Sequence, residues 1–183
     1  AFMSMLGLSA LNDIVKSLQT CKASTILNLL RDRIQESLHQ LGESEVVSND
    51  GMDISLCIYD PQSKKLQFAA AHNPLYIIRS GNMKVISADK MEIGSHLIEK
   101  QEFVNNEFQC KAGDLLYLFS DGFPDQFGGP EGKKYKYLKF REFLLSICME
   151  SMQRQKWLLD EEIEAWKGLY PQVDDIMVMG IKI

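Results

Sequence analysis

The sequence of 183 residues contains no apolar run close to the ~18 residues that a membrane-spanning helix needs. It has no basic-then-apolar leader of the secretory type either. Cysteine is sparse. Cys21, Cys57, Cys110 and Cys148 are far apart, form no C-x-x-C pair and have no neighbouring histidine. That spacing excludes a zinc knuckle and a dithiol redox motif, and it reads as free thiols in a reducing cytoplasm. The three histidines, His39, His72 and His96, stand in unrelated contexts, so nothing supports a Ser/His/Asp triad. Basic charge is not in excess. The 20 Lys and Arg are outnumbered by 25 Asp and Glu, a net −5, which argues against a partner held through nucleic-acid phosphates. "GGPEGKK" (128–134) falls short of a phosphate loop. Three residues separate Gly128 from Gly132 where four are required, and Lys134 stands where Ser or Thr belongs. There is no internal repeat and no linker between two domains.

What remains is ordinary globular composition, 45% apolar and 25% charged, in a chain long enough for a real core. Leu8, Leu11, Val15 and Leu18 recur at helical spacing, as do Leu27, Leu30, Ile34, Leu38 and Leu41. The spacing predicts helices over 2–19 and 24–41, with Ser24 capping the second, folded into a hairpin. After a loop at 42–51 the period changes to two. Ile54, Leu56 and Ile58 alternate with polar positions, and Leu66, Phe68 and Ala70 repeat the pattern. "LYIIR", a turn at Ser80-Gly81-Asn82 and "MKVI" follow, which reads as successive hairpins of an antiparallel sheet. Further strands are expected at 102–110 and 115–120. Helices are expected at 139–150 and 153–167, the second anchored by Ile163 and Trp166. A last strand is expected at 176–183. Two helices, several strands, two helices and a strand make a single α+β domain over 1–183, with a β-rich region at 52–120. The sequence opens on "AFMSMLGLSALNDIV", already amphipathic, and so reads as a piece of a longer protein.

Acidic residues stand at the ends of two apolar strands. Asp121 closes "LLYLFSD", and Asp174 and Asp175 open "DDIMVMGIKI". Carboxylates without His or Cys suit a hard cation such as Mg²⁺ or Mn²⁺, which can activate water and clamp a phosphoryl oxygen. The other reading is plain: Asp-Gly is a common turn pair, and an acidic pair before a strand is often only a solvated start. Spacing alone leaves both open. The Gly- and Lys-rich stretch around Lys133, Lys134 and Lys136 reads as a mobile basic flap suited to a phosphorylated partner.

Taken in order, "DGMDISLCIYD" (50–60), "LQFAAAHNPLYIIRSG" (66–81), "GDLLYLFSDGFPDQFGG" (113–129) and "QVDDIMVMGIKI" (172–183) resemble the SpoIIE-like serine/threonine phosphatases. These belong to the metal-dependent protein phosphatase 2C superfamily and include the sigma-factor-regulator phosphatases. The resemblance implies an antiparallel β-sandwich flanked by helices, with a binuclear Mn²⁺ or Mg²⁺ site at one end. It implies Asp121 and Asp174 as metal ligands, with Asp175 and Gly122 beside them. It implies hydrolysis of phosphoserine or phosphothreonine by metal-activated water, without a phosphoenzyme, on a protein such as an anti-sigma-factor antagonist. It implies that the opening "AFMSMLGLSALNDIV" is the helix after the family's Gly-x-Pro-Gly-Ala motif. The family's early strands and further metal aspartates would then precede residue 1. The expectation for this chain is therefore weak or absent metal binding, little activity, and self-association through the starting helices or an uncovered sheet edge. A non-catalytic signalling module that binds a partner through the helical hairpin or the lysine loop is the alternative. Either would belong to the cytoplasmic part of a larger signalling protein.

Overall fold

The computed structural model describes residues 2–18, 21–40, 51–94 and 101–183. In chain order its elements are α1 (Phe2–Ser17), α2 (Ala23–Gln40), β1 (Ile54–Asp60), β2 (Lys65–Ala71), β3 (Leu75–Arg79), β4 (Asn82–Ile86), β5 (Asn106–Gln109), β6 (Leu115–Phe119), α3 (Gly122–Asp125), β7 (Phe127–Gly128), β8 (Lys133–Lys134), α4 (Tyr137–Ile147), α5 (Met152–Lys167) and β9 (Val178–Lys182). This is an α+β chain, and among the described residues these strands pair antiparallel with one another; a single isolated bridge, Ala71 to Asp89, is parallel. The expected loop at 42–51 and His96 fall outside the described residues, apart from Gly51. Among the described residues no helix is long and apolar enough to cross a membrane. All four cysteines are free; Cys110 is buried and the other three are half-buried.

The chain divides into two compact units, residues 1–74 with 87–109 and residues 75–86 with 110–183. The expected run of hairpins in one sheet is therefore corrected. β1 and β2 form a hairpin, as do β3 and β4, but β2 and β3 do not pair.

In the first unit the sheet order is β1-β2-β5. The stripe read for the second helix is real: Leu27, Leu30, Ile34 and Leu38 are buried in a cluster with Ala69, Ala71, Ile93 and Phe103. The stripe read for the first is corrected: Leu8 and Val15 are exposed, and α1 buries Ala10 and Ile14 instead. Ser24 is not the cap of α2, which starts at Ala23. The first turn of a helix has N–H groups without intrahelical acceptors. Here distant side chains supply them: Gln67 Oε1 accepts from Ala23 N–H at 3.4 Å and Asn105 Oδ1 from Ser24 N–H at 3.3 Å. The strand expected over 102–110 is shorter for the same kind of reason. Phe103 N–H donates to Asn28 Oδ1 and Val104 N–H to Asp89 Oδ2, so these amides do not enter a ladder.

In the second unit the sheet order is β4-β3-β6-β9. The β3–β4 turn has φ of 50° at Ser80 and 76° at Gly81, the two positive values that a type I′ hairpin demands. Tyr76, Tyr117 and Phe119 from the sheet pack on Phe123, Tyr135, Phe140, Leu144 and Ile163. The Phe140 ring lies tilted 4.6 Å from Phe123 and meets Phe119 edge-on at 5.0 Å. α4 starts at Tyr137 and ends at Ile147, displaced from the expected 139–150. α5 begins on a Ser151 cap, whose side chain accepts from Arg154 N–H. Val178–Lys182 is shorter than the strand expected at 176–183, because Met177 N–H donates to a side chain instead.

Candidate functional site

β6 is a buried strand, Leu115–Phe119, and its end carries Ser120-Asp121-Gly122. β9 runs antiparallel beside it, with Phe119 opposite Val178. That register sets the residues after β6 against those before β9. Ser120 fastens the two. Its Oγ donates to the Asp175 carbonyl at 2.7 Å and accepts Met177 N–H at 2.9 Å, and its own N–H donates to the Met177 carbonyl at 3.0 Å.

Gly122 explains why the tip is so tight. A Cβ there would lie 2.4 Å from the Asp175 carbonyl oxygen, so only glycine permits the approach. Asp121 is the N-cap residue of the short α3, and its carbonyl accepts Asp125 N–H at 2.9 Å. Its side chain makes no capping hydrogen bond. It is half-buried, whereas Asp174 and Asp175 are exposed. The Asp174 carboxylate turns back on its own segment and accepts Asp175 N–H at 2.7 Å, while the Asp174 carbonyl accepts Gln172 Nε2.

The geometry thus brings the Asp121 tip together with the Asp174-Asp175 segment. It does not by itself complete a cation site. Mg²⁺ and Mn²⁺ need several oxygen ligands near octahedral positions. Among the described residues no three His, Cys, Asp or Glu side chains cluster to hold a metal ion. The donor type is right for a hard cation and the donor number is too small.

The lysine stretch is a built hairpin, which corrects the reading of it as a mobile flap. β7 and β8 pair, Gly128 sits against the Trp166 carbonyl, and Gly129 N–H donates to that carbonyl at 2.8 Å. Lys134 is 2.7 Å from Asp125, Lys133 pairs with Glu131, and Lys136 is exposed with φ of 75°.

Sequence reasoning missed Ser120 and Gln126. Gln126 is fully buried, its Nε2 donates to the carbonyls of Phe127 and Pro171, and its own carbonyl accepts Trp166 Nε1–H. It therefore ties α5 and the hairpin to the segment leading to Asp174. A serine directly before Asp-Gly at a strand end was the available signal for Ser120. Nothing local marked Gln126.

The structural likeness extends over the whole chain. It matches the SiaA-PP2C domain of Pseudomonas aeruginosa with a TM-score of 0.87 and 24% identity, over 100% of this chain and 70% of that one. It matches the PP2C phosphatase domain with a regulatory-domain fragment of the cell fate determinant SpoIIE from Bacillus subtilis with a TM-score of 0.74 and 21% identity, over 100% of this chain and 50% of that one. The catalytic domain of the serine threonine protein phosphatase PstP, in complex with 2 manganese ions, matches with a TM-score of 0.65 and 14% identity, over 97% of this chain and 78% of that one. At these identities the likeness establishes the fold, which is that of the PP2C phosphatases. No curated protein matches the chain. The family model for Stage II sporulation protein E (SpoIIE) matches residues 1–183, and on that match the chain belongs to the SpoIIE family, with a PP2C-type phosphatase fold.

Proposed function

We propose that the chain is part of a bacterial signalling phosphatase that removes phosphate from serine or threonine of a partner protein. An anti-sigma-factor antagonist is the substrate class that the family resemblance favours, and the cytoplasm the compartment. The observation that carries this reading is the Ser120 clamp. It holds Asp121 and the Asp174-Asp175 segment together at the end of the buried strand β6, where rigid elements position carboxylates well. Asp121 and Asp174 are the proposed metal-facing carboxylates, with Gly122 and Asp175 setting their spacing. Because the described residues provide too few ligands, no catalytic step is assigned through a metal, and this chain alone is expected to turn over slowly.

The same shortage of ligands favours a second reading, a phosphatase-like module that binds a partner without catalysis. It would use the α1–α2 hairpin or the face bearing Lys133, Lys134 and Lys136. One assay separates the two. A phosphoprotein and an aryl phosphate are offered, with and without Mn²⁺, to this chain and to a longer protein that carries it. Turnover by the longer protein that falls at least ~100-fold in Asp121→Asn supports the phosphatase reading. A longer protein without turnover supports the binding module. Full-rate, Mn²⁺-dependent turnover by the 183-residue chain would overturn the expectation of slow activity.

A further inference from the structure

Two stretches make up the candidate site. Residues 120–126 carry Asp121, and residues 171–177 carry Asp174 and Asp175. They are fastened to each other at both ends. At one end Ser120 bonds to Asp175 and Met177. At the other, Gln126 Nε2 donates to the Pro171 carbonyl at 3.0 Å. Asp121 and Asp174 therefore lie between two fasteners. The stretch 171–177 forms neither helix nor strand, so no ladder of its own holds Asp174 in place.

Gln126 is built to be a fixed point. It is fully buried, and its carbonyl accepts Tyr135 N–H at 2.9 Å and Trp166 Nε1–H at 3.0 Å. Its Nε2 also donates to the Phe127 carbonyl at 2.9 Å. Two carbonyl acceptors settle which end of the amide is the nitrogen. The other end is costly. Gln126 Oε1 is buried and has no hydrogen-bond partner among the described residues. A buried oxygen left unpaired destabilises a fold. Methionine would fill much the same space without that oxygen. The carbonyls it would release belong to Phe127 and Pro171, both exposed residues where water can replace the donor. Stability therefore does not account for a glutamine at this position, whereas its Nε2 donor does.

We propose that Gln126 is a positioning residue, whose Nε2 sets how far the Asp174 stretch stands from Asp121 and thereby sets the rate of phosphate removal. This inference rests on the phosphatase reading. With Ser120 alone the acidic stretch is held at one end and can swing about it. A misplacement of about 1 Å at a reacting site costs on the order of 100-fold in rate.

The test uses the longer protein that carries this chain, with an aryl phosphate and Mn²⁺. Gln126→Met should lower kcat roughly tenfold to a hundredfold, keep KM within about twofold and leave the urea midpoint nearly unchanged. Gly81→Ala is the structural control. It strains the β3–β4 turn, beside the Ile78–Leu115 pair at the start of β6 and so at the end away from Asp121. It should lower the urea midpoint and leave kcat unchanged. In the 183-residue chain, Gln126→Met should shift the amide resonances of residues 172–175. In the unaltered chain the Gln126 Nε2 protons should exchange slowly with solvent, a measurement that needs no variant to fold. Full kcat in Gln126→Met, a kcat that falls only in step with stability in both variants, unshifted amides at 172–175, or fast-exchanging Nε2 protons would each overturn the proposal. The two readings fail differently. If Asp121→Asn inactivates the longer protein and Gln126→Met does not, the proposal falls and the phosphatase reading stands. If Asp121→Asn keeps full turnover, or the longer protein has none, both fall.

Discussion

The hydroxyl of Ser120 and the carbonyl of Asp175, 55 residues apart in sequence, meet at 2.7 Å. The same hydroxyl accepts Met177 N–H. One small side chain thus supplies one half of the next rung of the β6–β9 ladder, the Ser120 N–H supplying the other, and fixes where the acidic segment begins. Ser120→Ala removes both bonds and leaves the Met177 amide without its acceptor. The expected loss is about 1–2 kcal/mol of stability, read from urea denaturation. Amide exchange at Met177 should accelerate before exchange in the rest of β9. If Met177 and the rest of β9 accelerate together with the whole sheet, the clamp is not local.

Gly122→Ala tests the close approach on the other side of the tip. The added Cβ would meet the Asp175 carbonyl at 2.4 Å, and that atom is backbone. Either the segment moves or the tip does. The variant should lose about 1–3 kcal/mol and shift the amide resonances of Asp174 through Met177. Gly81→Ala is the contrast. Its Cβ would meet open space, so any cost there comes from the positive φ alone.

Much of this architecture was legible in the sequence because burial imposes a period. The stripe Leu27, Leu30, Ile34 announced α2, and the alternation through Ile54–Ile58 and Leu66–Ala70 announced β1 and β2. The tip at Ser120-Asp121-Gly122 was visible as a polar stop on an apolar strand. What stayed hidden depends on groups far apart in the chain. The first turn of α2 is capped from Gln67 and Asn105, so its start could not be read from the residues around Ser24. The start of β5 depends on Asn28 and Asp89 drawing off two amides. Separation of the strands into two sheets leaves no local mark, since each hairpin has the same period. Gln126 likewise gains its meaning only from Pro171 and Trp166.

Remote capping gives its own prediction. Asn105→Ala removes the acceptor for Ser24 N–H, a buried donor at the start of α2. The cost should be about 1 kcal/mol, as for the loss of an ordinary cap residue. The variant should increase exchange in the first turn of α2 and leave its centre protected. Ser24→Ala, by contrast, should cost less, because the backbone N–H and not the hydroxyl makes this bond.

The last prediction concerns acid. Asp114 is 1% exposed and accepts Arg79 Nε at 2.7 Å, Arg79 Nη2 at 2.6 Å and Lys111 N–H at 2.8 Å. Burial by itself would raise its carboxyl pKa, but the hydrogen bonds from Arg79 and Lys111 and the charge of Arg79 outweigh it and hold the value below the ordinary 3.8. A depressed folded pKa means that the unfolded chain takes up the proton first. The stabilisation is therefore complete above 3.8 and is lost as pH falls through the lower folded value. Asp114→Ala removes the carboxylate that Arg79 and the Lys111 N–H share; the Arg79 side chain is 35% exposed and keeps part of its hydration, so the cost should be about 1–2 kcal/mol at neutral pH. Asp114→Asn keeps the shape, loses the charge and should flatten the acid limb. Urea midpoints at about pH 7, 4 and 2.5 provide the measurement. The natural protein should lose stability below pH 4 more steeply than Asp114→Asn. Parallel acid limbs for the two would show that another carboxylate sets the acid response.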